Sequence, residues 1–168
     1  MTTRRNLIAS IAGLAATAVA QRAQAQGAAI SDVRVDVSPL RAKGWGGAPL
    51  GVIDQNLRAG LRQAFADRIG QGGPLLVVRI DAVSLSGYAG GLDSGGRGSF
   101  GGGPSAMVDY MDGELVMVGR GNAILSRTPL LSTYPSSISG PWFAPDIDLR
   151  RLASLSTSYA RWARWKLS

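Results

Sequence analysis

The chain contains no cysteine and no histidine among its 168 residues. Without a thiol it can form no disulfide, thiolate nucleophile or iron–sulfur ligation, and it can carry no lipid attached through sulfur. Without imidazole it lacks a principal zinc and copper ligand and the side chain best suited to proton transfer near neutral pH. Glutamate is nearly as scarce. Glu114 is the only one, so a glutamate pair for glycoside hydrolysis is excluded and only paired aspartates stay formally open. Charged residues make up just 17% of the chain against 45% hydrophobic, which calls for a buried core rather than disorder.

Glycine is what the chain has in excess, with 23 residues, many of them in one stretch at 87–103 and none in a repeat. The length suits one domain. Three of the 18 basic residues, Arg4, Arg5 and Arg22, lie in the first 25 residues with no acid beside them. Residues 26–168 therefore hold 15 basic against 11 acidic residues, a net of +4. That mild excess fits a weak attraction to an anionic membrane surface and is too small for nucleic acid.

Residues 1–25 read as a signal peptide. A basic start, MTTRRN, precedes 14 apolar or small residues at 7–20, too few to span a bilayer. Ala23-Gln24-Ala25 offers a small-x-small cleavage site before Gln26. The run Thr3-Arg4-Arg5-Asn6-Leu7-Ile8 resembles the bacterial twin-arginine export motif, without the lysine usual near its end. The expectation is export to the periplasm of a Gram-negative bacterium, with residues 26–168 forming a single α+β domain.

In SDVRVDVS, Val33, Val35 and Val37 alternate with charged residues as in a half-buried strand closed by Pro39. The following Gly- and Pro-broken link reads as a loop, with Trp45 as a lid on the core. Ile53, Leu57, Leu61, Phe65 and Ile69 recur every four residues as one helix face stopped by Gly70, with Asp54 in the first turn. A strand follows at 75–85, with Leu76, Val78, Ile80 and Ala82 on one side. The Gly-rich stretch lacks the lysine of a phosphate loop and runs into a strand rather than a helix, so it reads as a long hairpin loop.

Asp112-Gly113, between MVDYM and ELVMV, predicts a two-residue type I′ turn. That register places Ala106, Val108, Tyr110, Leu115, Met117 and Gly119 toward the helices. Met107, Asp109, Glu114, Val116 and Val118 then share the opposite, half-apolar face. The acids of this hairpin are read as turn and surface residues rather than metal ligands. A short strand is expected at 123–126. A Pro- and Ser-rich loop follows, in which Trp142 and Phe143 plug the core edge. The last helix, at 148–167, is capped by Asp146 or Asp148, with Leu149, Leu152, Leu155, Tyr159 and Trp162 as its apolar stripe. In its last turns, ARWARWKL, indoles and cations alternate, as they do on interfacial helices and where arginine stems cover packed tryptophans.

The fold expected is one mixed or mostly antiparallel sheet of about four strands with two helices on one face, in the order β-α-β-β-β-α. The stretch GGGPSAMVDYMDGELV at 101–116 resembles small bacterial envelope lipoproteins of unknown function, although the lipid-bearing cysteine is missing here. The resemblance implies an envelope-assembly or transport-accessory role. No catalytic residue, metal ligand or cofactor is assigned. The expected function is that of a non-catalytic exported protein that binds an envelope protein or itself, touches an anionic membrane surface weakly and takes no nucleic acid. Its interaction residues are Met107, Val116, Val118, Arg161, Trp162, Arg164 and Trp165. The alternative is a small exported hydrolase, for which the chain offers no G-x-S-x-G elbow.

Overall fold

Valine alternation and helical periodicity meet in a single open sheet of four strands. The structure, a computed structural model, describes residues 29–70, 72–86, 108–141 and 143–168. The expected signal peptide, the Gly-rich loop, Met107 and Trp142 lie outside these residues. The order is β1 (Asp32–Asp36), α1 (Ser38–Ala42), α2 (Gly47–Ala64), β2 (Leu75–Ser84), β3 (Val108–Val118), β4 (Ile124–Pro135) and α3 (Ile147–Lys166). Neighbours in the sheet follow chain order, with β1 parallel to β2 and the other pairs antiparallel. This is the α+β architecture expected from the pattern.

One face of the sheet carries both long helices. Val33, Val35, Leu76, Val78, Ile80, Met111, Leu115 and Leu130 from the strands form one buried cluster with Ile53, Leu57 and Leu61 of α2 and Leu152, Leu155 and Tyr159 of α3. The helices pack closely where small residues meet: a Cβ on Gly60 would lie 3.0 Å from that of Ala160. Phe65, 1% exposed, ends the α2 contribution, and Trp45 packs partly buried against the same core, as a lid would.

Several boundaries depart from the sequence reading. The link after β1 is helical: α1 has Pro39 in its first turn, where a missing N–H costs nothing, and buries Leu40. Helix α2 begins at Gly47, so Asp54 lies beyond the first turn and pairs instead with Arg58, four residues on, at 2.9 Å. The helix ends at Ala64, before Gly70, and Ile69 forms an isolated bridge with Ile30. Phe143 is exposed rather than a plug, and so is Trp162, whose place in the α3 stripe is taken by Ala160 and Ala163.

The largest correction concerns Asp112-Gly113. There is no turn there: β3 runs straight through, with Gly113 paired to Ile80 on one side and Leu130 on the other. Glycine is needed at this position because a Cβ would sit 2.1 Å from the Arg79 carbonyl oxygen and 2.9 Å from Tyr159 Oη. Opposite, β2 shifts register between Ile80 and Ala82. The intervening Asp81 carbonyl accepts a 2.7 Å hydrogen bond from Lys43 Nζ. Beyond the bulge the alternation inverts, so Val83 packs on the core side and Ala82 does not. The actual hairpin turn is Arg120–Asn122, where Gly121 and Asn122 take φ of 67° and 63°, the left-handed pair that a type I′ turn requires. Strand β4 then runs 12 residues through the segment expected to be mostly loop. It tolerates Pro129 because it is an edge strand, with ladder partners on one side alone.

Two outcomes follow from this geometry. Gly113→Ala drives a methyl group into backbone and should destabilise the fold by about 3 kcal/mol in urea unfolding. Tyr159 is fully buried and its hydroxyl makes no hydrogen bond. Burial, reinforced by the carboxylates of Asp112, Asp81 and Glu114, pushes its ionisation well above the usual range for tyrosine. The unfolded chain therefore releases this proton first. Its contribution to stability is intact below about pH 10 and is lost above it, at about 1.4 kcal/mol per pH unit. Tyr159→Phe should leave stability at neutral pH nearly unchanged and flatten the decline measured by urea unfolding between pH 9 and pH 11.

Candidate interaction surfaces

The most heavily bonded side chains are ones that sequence reasoning missed. Arg151 is 2% exposed and Asp109 is fully buried. Arg151 Nε donates to Asp109 Oδ2 at 2.9 Å, and Nη2 donates to Asp109 Oδ1 to complete a two-pronged pair. Nη2 also donates to the Ser86 carbonyl at 2.6 Å and to Ser136 Oγ at 3.2 Å, while Nη1 reaches Asp148 at 3.1 Å. Asp109 Oδ1 accepts further bonds from the Ser86 amide at 3.0 Å and from Ser136 Oγ at 2.9 Å. The Ser86 hydroxyl donates to the Val108 carbonyl.

This cluster ties together the end of β2, the start of β3, the turn after β4 and the first turns of α3. Ser136 lies beside a carboxylate, but it is fully buried and that carboxylate is committed to Arg151. The arrangement works as a clamp. A signal for it existed in the sequence. With β3 straight, Asp109 falls on the same side as Met111 and Leu115, and Arg151 lies four residues before Leu155 on the core stripe of α3. Two opposite charges aimed into one core imply a pair.

The expected interaction residues separate into two regions. Val116 and Val118 lie on the sheet face away from the helices, as anticipated, together with Val77 and Leu75 of β2. Val116 is 6% exposed, flanked across the strands by Val77 and Arg127. Glu114 binds Arg127 at 2.5 Å and Arg79 at 3.2 Å on this face. Asp109 belongs to the core face and Tyr110 to the open one, the reverse of the expectation, because the strand does not fold back at Asp112. Tyr110 and Leu131 stand 44% and 59% exposed there. No described helix covers this face. Among the described residues no group of three or more acids is arranged to hold a metal ion.

The second region is the outer side of α3. Trp162 and Trp165 meet edge to face, with ring centroids 5.2 Å apart, and remain 46% and 66% exposed. Arg161 lines a shallow hollow with both indoles and Ser158. Arg164 points elsewhere: it pairs with Asp67 at 2.8 Å and lies over the Phe65 ring at 5.7 Å, joining α3 to the end of α2. Of the four α3 residues expected at an interaction surface, three are thus presented outward and Arg164 is structural. Among the described residues no helix is long and apolar enough to cross a membrane.

No protein-family model matches the chain, and no curated protein matches it. Solved structures similar to it include the following two. One is the crystal structure of a "putative lipoprotein" from Caulobacter crescentus CB15, with 18% identity and a TM-score of 0.38 over 82% of this chain and 86% of that one. The other is an uncharacterised protein, with 16% identity and a TM-score of 0.39 over 69% of this chain and 67% of that one. Neither overlap is deep enough to carry fold or function across.

Removing one half of the clamp leaves a buried charge unmatched. Arg151→Met alone should cost about 3–5 kcal/mol, and the Asp109→Leu/Arg151→Met pair should recover most of that loss in urea unfolding.

Proposed function

We propose that the chain is an exported, non-catalytic protein of the bacterial periplasm that acts by binding, in envelope assembly or as an accessory to transport. Export rests on the basic, apolar and small-residue order of residues 1–25. The binding role rests on one structural observation: no described helix or strand covers the face of the sheet opposite the helices. A four-stranded sheet with helices on one side ordinarily shows water a polar outer face. Here the row across β2, β3 and β4 sets Leu75, Val77, Val116, Val118 and Leu131 around the Arg79–Glu114–Arg127 ion pairs. Apolar groups around a cluster of paired charges suit a protein partner or a second copy of this chain.

Fractionation tests the first part. A C-terminally tagged chain should be recovered from the periplasm in a shortened form, and Arg4→Lys/Arg5→Lys should hold it in the cytoplasm at full length. Recovery of the unprocessed wild-type chain in the cytoplasm would sink the export reading. For the second part, Leu131 is the better probe, because it is exposed whereas Val116 is shielded within its own chain. Leu131→Asp should keep the wild-type circular dichroism and abolish either self-association in light scattering or a discrete cross-link formed in cells from position 131. A monomeric wild type with no such cross-link removes this face as a binding surface.

A further inference from the structure

Exposed apolar side chains gather at the end of the molecule where α2 and α3 terminate and β2 begins. Ile69 is 38% exposed, Ile124 53%, Leu125 61% and Trp165 66%. Leu125 lines an open cleft of about 450 Å³ between the helix ends and the adjoining ends of β3 and β4. Its apolar wall is made by Ile30, Phe65, Met117, Leu125 and Leu167, and Arg68 and Lys166 stand at its mouth. Arg68 is held in place by donating to the Leu167 carbonyl at 2.6 Å. Among the described residues no acidic side chain lines the cleft, and none lines the hollow of Arg161, Trp162 and Trp165. Asp67, just beyond the end of α2, is engaged by Arg164. No ion pair joins Arg161 or Lys166 to a carboxylate of the described residues.

We infer that this end of the molecule docks on an anionic lipid surface. Lys166, Arg161 and Arg68 would meet the phosphate headgroups. The indoles of Trp165 and Trp162 would sit at the headgroup level, and Leu125, Ile124 and the cleft would reach the first part of the acyl layer. Indoles and cations around an exposed apolar tip are the side chains that favour a membrane interface. Arg161 and Lys166, which no carboxylate of the described residues pairs, select anionic over neutral headgroups. A protein partner would be served equally well by tryptophan and arginine, but less well by exposed lysine, which protein interfaces disfavour. The inference leans on the envelope reading solely for where such a surface would be met.

Vesicle flotation of the purified full-length protein, or of its processed form, tests it. At low salt the protein should float with vesicles containing phosphatidylglycerol and stay behind with phosphatidylcholine alone, and its tryptophan emission should shift to the blue. Leu125→Asp, Trp165→Ala and Lys166→Glu all change exposed side chains, so each should keep the wild-type circular dichroism. Each should weaken flotation by about tenfold, and Lys166→Arg should retain it. Absence of flotation overturns the inference, and so does flotation that these variants leave unchanged or that pure phosphatidylcholine supports equally. Displacement by inorganic phosphate at equal headgroup concentration would assign the cations to free anions instead of a surface. A photo-cross-linker at position 125 that captures a protein and no lipid in cells would assign the cleft to a protein partner. Because flotation uses purified protein and export is read by fractionation, failure of one leaves the other standing.

Discussion

A guanidinium and a carboxylate buried together with almost no exposed surface are the constraint on which the other elements depend. Each ion alone would be expensive to remove from water. Together they are matched, and the further partners they recruit among the described residues include Ser86 from the end of β2, Ser136 from the turn after β4 and Asp148 from the start of α3. The pair thus does for this end of the molecule what apolar packing does for the rest. It sets how α3 lies over β3 and β4, and it holds the sequence-distant Ser86 and Val108 at hydrogen-bonding distance. Dispersion forces are tolerant of small slips; a two-pronged ion pair is not.

From that registration come both faces of α3. Once Arg151 is fixed toward the sheet, helical periodicity sends Leu155, Tyr159 and Ala163 the same way and turns Arg161, Trp162 and Trp165 outward. Tyr159 then reaches the sheet where it needs room, and Gly113 supplies it. The bulge at Asp81 and the absence of a side chain at Gly113 are two parts of one accommodation, with Lys43 satisfying the carbonyl that the bulge frees.

Much of the architecture was legible in the sequence. Alternating valines gave β1, the fourfold apolar spacing gave α2 and the leucines at 149–155 gave the start of α3, because each of these patterns is local. The errors came from a residue pair with two physical explanations. Asp-Gly usually marks a turn, but here glycine answers to Tyr159 and the Arg79 carbonyl, groups distant in sequence. Taking it as a turn inverted the faces of 108–111, put Asp109 outside and hid the clamp. The real turn, Gly121-Asn122, carried a comparable signal. Strand β4 was obscured by its prolines, which an edge position permits. Of the candidate interaction residues, alternation placed Val116 and Val118 on the face of the sheet away from the helices, and composition singled out Arg161 and Trp165 on the outer side of α3. The structural role of Arg164 depends on Asp67 and Phe65, which nothing local places beside it.

The hydroxyl bond from Ser86 to Val108 has an evolutionary consequence. It holds the facing ends of β2 and β3 together, so the pairing of these strands is set by residues on either side of the intervening stretch, 87–107. Lengthening a tether between fixed points costs only the slow logarithmic entropy of closure, about 0.6 kcal/mol per doubling. The site is therefore a free insertion point: descendants of this chain could gain, lose or exchange whole segments there while the same domain folds beneath.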